Sequence, residues 1–285
     1  MQVSGKIILI TGAASGIGAA MARRFLAEGA AGLVLGDVQE GPLSELTREL
    51  NAIPNPLGVS TQGRADVAEP KVRVISQGCD VTREADIQAL VAYGEQHLGR
   101  VDIACSNAGL VRDGGEDTSD EDWQLNWNIH LMAHVWLSRA VLPGMLQRAE
   151  GYLLITASAA GLLTSLPSTS YAVTKHAAIA FAESMSIRHG AAGIKVSVLC
   201  PQAVDTPLIQ QRANVPGVSS QIGGVMSTDA LCDTVIEGLS TEKFLILPHP
   251  EVLEYFQRKA SDYDRWLAGM RKLDQKLRLG KSVSQ

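Results

Sequence analysis

Tyr171 and Lys175 stand four residues apart, and the Ala-rich stretch after them, with Ala177, Ala178, Ala180 and Ala182, contains no Gly or Pro before Gly190. That pattern predicts a helix, and the i, i+4 spacing puts both side chains on one face. An ammonium beside a phenol favours the phenolate, so Tyr171 is expected to exchange a proton nearer neutrality than its ordinary value of about 10. It is therefore a candidate general acid/base. Ser158 lies thirteen residues before Tyr171, just after the apolar run 152–156, which reads as a strand. A hydroxyl there can hydrogen-bond the substrate oxygen that Tyr171 protonates. Tyr and Lys at helical spacing also occur in helices that do no chemistry, so the weight falls on the elements around them.

Residues 6–11 (KIILIT) form a continuous apolar run of strand length, as in a strand buried on both faces. Gly12, Ser15, Gly16, Ile17 and Gly18 follow in a glycine-rich turn, and then a helical pattern runs through Met21, Phe25 and Leu26 to Gly29. In a strand–turn–helix unit of this kind the glycines let backbone approach a pyrophosphate, and the free N–H groups of the helix start receive its charge. The next apolar run, 33–36, ends at Asp37, nineteen residues past Gly18. A carboxylate at that strand tip suits a ribose 2′-hydroxyl and repels a 2′-phosphate; the plainer alternative is a helix N-cap. Val38 follows, with no Arg or Lys nearby to hold a phosphate, so NAD is expected rather than NADP.

Further runs at 72–76, 101–105, 152–156, 195–200 and 244–247 complete seven predicted strands alternating with helices. Asp80 and Val81 follow the third, where Asp80 is placed to contact an adenine, to cap the helix beginning near Arg83, or both. Asn107, Ala108 and Gly109 follow the fourth and leave room for a flat ligand against the backbone. Pro201, Val204 and Thr206 follow the sixth. The expected fold is α/β: a single-domain, Rossmann-type, doubly wound and mainly parallel seven-stranded sheet with helices on both faces, its ligand at the strand carboxyl ends. Residues 51–70 break the helical pattern with three prolines and two glycines and read as an exposed or partly ordered insertion. Residues 207–227 suit a mobile substrate lid, and 249–285 a charged, amphipathic helical extension. The helical stretch 119–148 carries Trp123, Trp127, Leu131, Val135 and Leu142 near one stripe, either core or subunit interface.

The composition fits a soluble globular chain: 285 residues, 46% hydrophobic and 19% charged. The net charge of -5, with no basic stripe, argues against a nucleic-acid or anionic-membrane partner. Cys79, Cys105, Cys200 and Cys232 are widely spaced with no C-x-x-C, so they read as buried free thiols in a reducing compartment rather than as disulfides or a metal site. No targeting or membrane-spanning segment is apparent, and the expected location is cytoplasmic.

In order along the chain, TGAASGIG at 11–18, Asp37, Asp80-Val81, Asn107-Ala108-Gly109, Ser158, Tyr171-x-x-x-Lys175 and PQAVDT at 201–206 resemble the short-chain dehydrogenase/reductase family, in its simple oxidoreductase branch. The resemblance implies that Ser15, Ile17 and nearby backbone hold the pyrophosphate, Asp37 the adenosine ribose, Asp80 and Val81 the adenine. It implies Lys175 on the nicotinamide ribose, Val204 and Thr206 on the carboxamide, and Tyr171 and Ser158 on the reacting oxygen. It also implies a homotetramer, with the 119–148 and 171–190 helices pairing across an interface. Two positions depart from the family pattern. His130 stands where an Asn usually completes a proton relay near the Lys, and we read it as carrying that relay; Asn128, about 200° away round a regular helix, could serve only if the helix is distorted. Gln202 stands where a Gly usually follows the Pro and is expected to narrow the nicotinamide-side pocket.

The resulting expectation is an NAD-dependent alcohol dehydrogenase/ketone reductase. Arg212 is the lid's one basic residue, which favours a neutral, hydrophobic secondary alcohol over a CoA, phosphate or acyl-carrier substrate. A 3-oxoacyl thioester reductase shares every motif above and differs in the lid and usually in the cofactor. A non-catalytic dinucleotide sensor or scaffold is disfavoured by the joint presence of Ser158, Tyr171 and Lys175.

Overall fold

A computed structural model describes residues 1–53, 73–212, 215 and 224–282. Most of the 51–70 insertion and the middle of the 207–227 lid lie outside the described residues. Seven strands, β1 (Ile7–Thr11), β2 (Gly32–Asp37), β3 (Val74–Gly78), β4 (Ile103–Ser106), β5 (Gly151–Thr156), β6 (Ile194–Leu199) and β7 (Leu245–Ile246), form one sheet in the order β3-β2-β1-β4-β5-β6-β7, with every pairing parallel. β1, β2, β4 and β5 are buried along their whole length. Their unbroken apolar runs are what a sheet covered on both faces requires.

Alternation along each strand divides the core in two. Ile8 and Ile10 of β1 pack with α1 (Gly16–Ala27), α2 (Glu40–Ala52) and α8 (Thr228–Ser240), through Phe25, Leu46 and Val235 among others. Leu9 faces the other layer, built by α3 (Glu84–Leu98), α5 (Ala133–Gln147) and α6 (Thr169–His189), through Leu90, Leu137 and Ile179 among others. The chain winds outward in both directions from the β1/β4 boundary, so the carboxyl ends of these two strands open a crevice there.

The 119–148 stretch is not one regular helix. α4 (Asp120–Trp127) passes through a π-helical turn, Asn128–Met132, into α5. α4 starts at an N-cap whose Ser119 Oγ accepts from Asp122 N at 3.2 Å, with three acidic residues in its first turn. A short helix α7 (Pro207–Gln210) opens the lid.

The extension beyond β7 forms α9 (Glu251–Ser261) and α10 (Tyr263–Ser282). Lys259 is buried and clamps α9 in place, its Nζ donating to Leu162 O at 2.7 Å and Leu163 O at 2.9 Å. Among the described residues no helix is long and apolar enough to cross a membrane, and the four cysteines are buried and unpaired.

Candidate active site

The crevice is a single cavity of about 1190 Å³. That exceeds the roughly 300–1,000 Å³ usual for one small ligand and leaves room for two side by side. Gly12, Ser15, Gly16, Ile17, Asp37 and Val38 line one end. Asp80, Val81, Asn107, Ala108 and Gly109 lie next along the strand tips, then Ser158, Tyr171, Lys175, Pro201, Val204 and Thr206. Gly18 and His130, both expected at the site, are not in its lining.

The turn after β1 is shaped by contacts only glycine permits. Gly12 has φ +67°, and a Cβ there would stand 2.6 Å from Ala108 Cα. At Gly18 a Cβ would collide with Gly12 O and stand 2.8 Å from Asn107 Nδ2. Gly18 thus supports the turn from beneath instead of facing a ligand. Asn107 is likewise a clamp: its Nδ2 donates to Thr11 O and Gly12 O, each at 3.2 Å, and its Oδ1 accepts from Thr156 Oγ1 at 3.1 Å. One amide therefore ties together the tips of β1, β4 and β5. Ser15 is the N-cap of α1 but makes no side-chain capping bond, and the first turn carries no acidic residue. That helix start is left to an anion from outside.

At the adjacent strand tip Asp37 is 7% exposed while Val38 is 69% exposed. Asp37 accepts from Ala14 N through Oδ2 and from Gln39 N through Oδ1, each at 2.9 Å. The carboxylate is held rigidly at the cavity wall, and the N-cap position of α2 belongs to Gln39. Asp80 lines the cavity and has its Oδ1 engaged by Thr82 N at 2.9 Å and Thr82 Oγ1 at 2.7 Å, which closes the turn before α3, while the N-cap position of α3 belongs to Arg83. A glycine cradle, a bare helix N-terminus and a fixed carboxylate in one crevice fit a dinucleotide.

Beyond them, Ser158, just past β5, lines the cavity together with Tyr171 on α6, and Lys175 Nζ lies 5.6 Å from the Tyr171 ring centroid. Lys175 donates to Thr156 O at 2.9 Å. Ser158 is itself oriented by Ala160 N, which donates to its Oγ at 3.1 Å. The sequence expectation of a phenol shifted toward neutrality is not met. Burial pushes the Tyr171 phenol above its ordinary value, outweighing the nearby Ser158 hydroxyl and the Arg212 charge that act the other way. Burial also lowers the Lys175 ammonium to about 7, so the neighbour that was to favour the phenolate is itself reluctant to hold its charge.

His130 sits in the π-helical turn, buried behind Tyr171, the two rings edge to face with centroids 5.3 Å apart. Leu110 N donates to its Nε2 at 3.3 Å. The neutral ring then carries its proton on Nδ1, which donates to Thr174 Oγ1 at 3.0 Å. Burial and the Lys175 charge hold its pKa well below the ordinary value. Both ring nitrogens are engaged, so the relay read from sequence has no free nitrogen in this arrangement. Nor does the distortion bring Asn128 inward, since its Oδ1 accepts from Gln124 Nε2 at 2.8 Å on the exposed side. Gln202 lines the cavity, but its Nε2 donates to Glu251 Oε1 at 3.0 Å, so the amide is tethered to α9 instead of filling the nicotinamide side.

Three arrangements were missed by the sequence reading. Thr156 supplies a backbone carbonyl to Lys175, and no side-chain pattern announces that. Arg212 is fixed by Asp113, with Nε donating to Oδ2 at 3.3 Å and NH2 bonded to Oδ1; a sequence separation of ninety-nine hides the pair. α10 lines the cavity through Trp266, Met270, Leu273 and Leu277, a spacing visible as an apolar stripe but silent about what it faces.

Comparison with known proteins gives a concordant result. The sequence profile described as short chain dehydrogenase matches residues 6–215. The chain is 31% identical over 255 residues to a 1-deoxy-11-beta-hydroxypentalenate dehydrogenase of Streptomyces exfoliatus, covering 88% of this chain and 86% of that one. Among solved structures, a short chain dehydrogenase/reductase from Burkholderia phymatum in complex with NAD superposes with a TM-score of 0.77 at 26% identity, covering 93% of this chain and 96% of that one. A short-chain dehydrogenase from Sphingobium yanoikuyae in complex with NADPH gives a TM-score of 0.72 at 27% identity, covering 94% and 93%.

Proposed function

The chain belongs to the short-chain dehydrogenase family, whose members are oxidoreductases acting on hydroxyl and keto groups, and from that membership we propose an NAD-dependent dehydrogenase/ketone reductase of neutral, hydrophobic secondary alcohols. The observation that carries the proposal is one cavity holding both the glycine cradle beside Asp37 and the Ser158, Tyr171, Lys175 cluster. Gly12, Ser15, Gly16 and Ile17 would hold the pyrophosphate, Asp37 the adenosine ribose, Asp80 and Val81 the adenine, and Lys175, Val204 and Thr206 the nicotinamide half. The bound nicotinamide supplies the hydride acceptor for oxidation or the donor for reduction. Tyr171 takes the hydroxyl proton in the oxidising direction and returns it in the reducing one. Ser158 donates to the substrate oxygen as charge develops on it. Lys175, held by Thr156 O, keeps a positive charge available beside Tyr171 when the phenol is deprotonated. His130 acts as a positioning residue, its ring edge against Tyr171 and its Nδ1 on Thr174 fixing the face of α6 that carries the pair.

Arg265 also lines the cavity, but neutral substrates are favoured because two of the three arginines there are already engaged, Arg212 by Asp113 and Arg258 by Glu254. That weighs against a 3-oxoacyl thioester reductase. The relative named for a hydroxypentalenate supports chemistry at a hydroxyl carbon on a carbocyclic body. Buried, unpaired thiols support a cytoplasmic location. Apolar side chains left exposed on α4, α5 and α6, namely Trp127, Leu146, Val173 and Ile187, support a homotetramer.

The cofactor half of the reading is tested by kcat/KM with NAD and NADP in the wild type and in Asp37→Ser. We expect NAD to be preferred by on the order of 100-fold, from losing the ribose contact and placing a 2′-phosphate beside a buried carboxylate, and the preference to narrow sharply in the variant. Wild-type preference for NADP would overturn it.

A further inference from the structure

We propose that α10 is the specificity wall of the substrate pocket, that it selects alcohols with an extended apolar body, and that Gly269 is the notch admitting that body. The inference deepens the dehydrogenase reading and rests on it. α9 follows β7, next to β6 at the end of the sheet far from Asp37. It is fastened to the Ser158 side by Lys259 on the carbonyls of Leu162 and Leu163 and by the Gln202–Glu251 bond. α10 is thereby brought to the substrate half of the cavity. There Trp266, Met270, Leu273 and Leu277 recur at i, i+4, i+7 and i+11, one stripe of the helix. At 1.5 Å per residue, the eleven steps from Trp266 to Leu277 make an apolar trough roughly 16 Å long. Leu273 is 44% exposed, so part of this wall stays wet until an apolar ligand covers it.

Gly269 stands in the same wall, in mid-helix, where glycine is the poorest helix former after proline. Its φ is not in the left-handed region, and a Cβ there would meet no atom within 4 Å. Neither backbone geometry nor packing within the protein demands a glycine, whereas room for a ligand does. Of the three arginines lining the cavity, Arg212 is bound to Asp113 and Arg258 to Glu254, and Arg265 stands beside Trp266 at the start of the trough.

The test compares wild type and Gly269→Leu on a ladder of straight-chain secondary alcohols from four to about twelve carbons, with a fused-ring alicyclic alcohol of similar length beside them. The corresponding ketones are titrated against Trp266 fluorescence without cofactor, using Trp266→Phe as the blank. In wild type kcat/KM should rise about fourfold for each methylene buried along the wall, and long ketones should bind while short ones do not. Gly269→Leu should lose at least tenfold for the long members, in turnover and in binding, and leave the shortest within twofold, with melting temperature unchanged or raised. A preference for the alicyclic member over the straight chains would identify the body as a ring system. Length-independent ketone binding in wild type, or a variant that weakens short and long members alike, overturns the proposal. If long ketones bind and Gly269→Leu releases them while no alcohol is turned over, the wall stands and the dehydrogenase reading falls.

Discussion

Lys175 is buried and Tyr171 partly buried, and burial disfavours the charged form of both. A pair in this situation titrates as a unit, with an apparent pKa that belongs to neither residue alone. The sign of the pH dependence follows. Oxidation needs the pair to have lost a proton, so kcat/KM for an alcohol should rise with pH across a window set by the more acidic member, the Lys175 ammonium that burial lowers to about 7. Ketone reduction needs the proton and should fall across the same window. His130→Ala should lower kcat about 10- to 100-fold through loss of positioning without moving that apparent pKa. A shifted profile would return the imidazole to the proton path.

The turn after β1 depends on Gly18 more than its absence from the cavity suggests. Gly18→Ala drives a methyl into Gly12 O and the Asn107 amide, which should cost about 1–3 kcal/mol and lower Tm by about 2–4 °C per kcal/mol in a chain of this size. It should also weaken NAD, because the Asn107 clamp and the cradle shift together. An unchanged Tm, measured by differential scanning calorimetry, would contradict this. The strands were legible in the sequence because burial on both faces writes them as continuous apolar runs. The site motifs were legible because their glycines, carboxylates and hydroxyls fall just after those runs. β3 runs on to Gly78, two residues past the apolar run, because its register is set by long-range pairing, Leu33 with Val74 through Asp37 with Gly78, which no local pattern records. The π-helical turn is equally hidden, since the apolar residues of 119–148 fit a regular period well enough to mask one widened turn. Its consequence, a histidine with both nitrogens satisfied, depends on Leu110 and Thr174, which are remote in sequence.

Two helical layers enclose the sheet, and the crevice where its winding reverses gathers residues from six strand ends, α6 and α10. Apolar residues stand exposed on α4, α5 and α6, Ile187 at 85%, and the proposed homotetramer would cover them. Light scattering should give a tetramer that Ile187→Glu dissociates, whereas a wild-type monomer would remove the interface. The gathering of cradle and proton-transfer cluster in one cavity is the central claim. It is tested most directly by following reduced nicotinamide from a panel of secondary alcohols with NAD, in the wild type and in Tyr171→Phe, while NAD affinity is measured in both. The account predicts turnover by the wild type, loss of about 10²- to 10⁴-fold in the variant, and equal NAD binding. Wild-type rates retained by Tyr171→Phe, or NAD bound by both proteins with no alcohol oxidised by either, would contradict it.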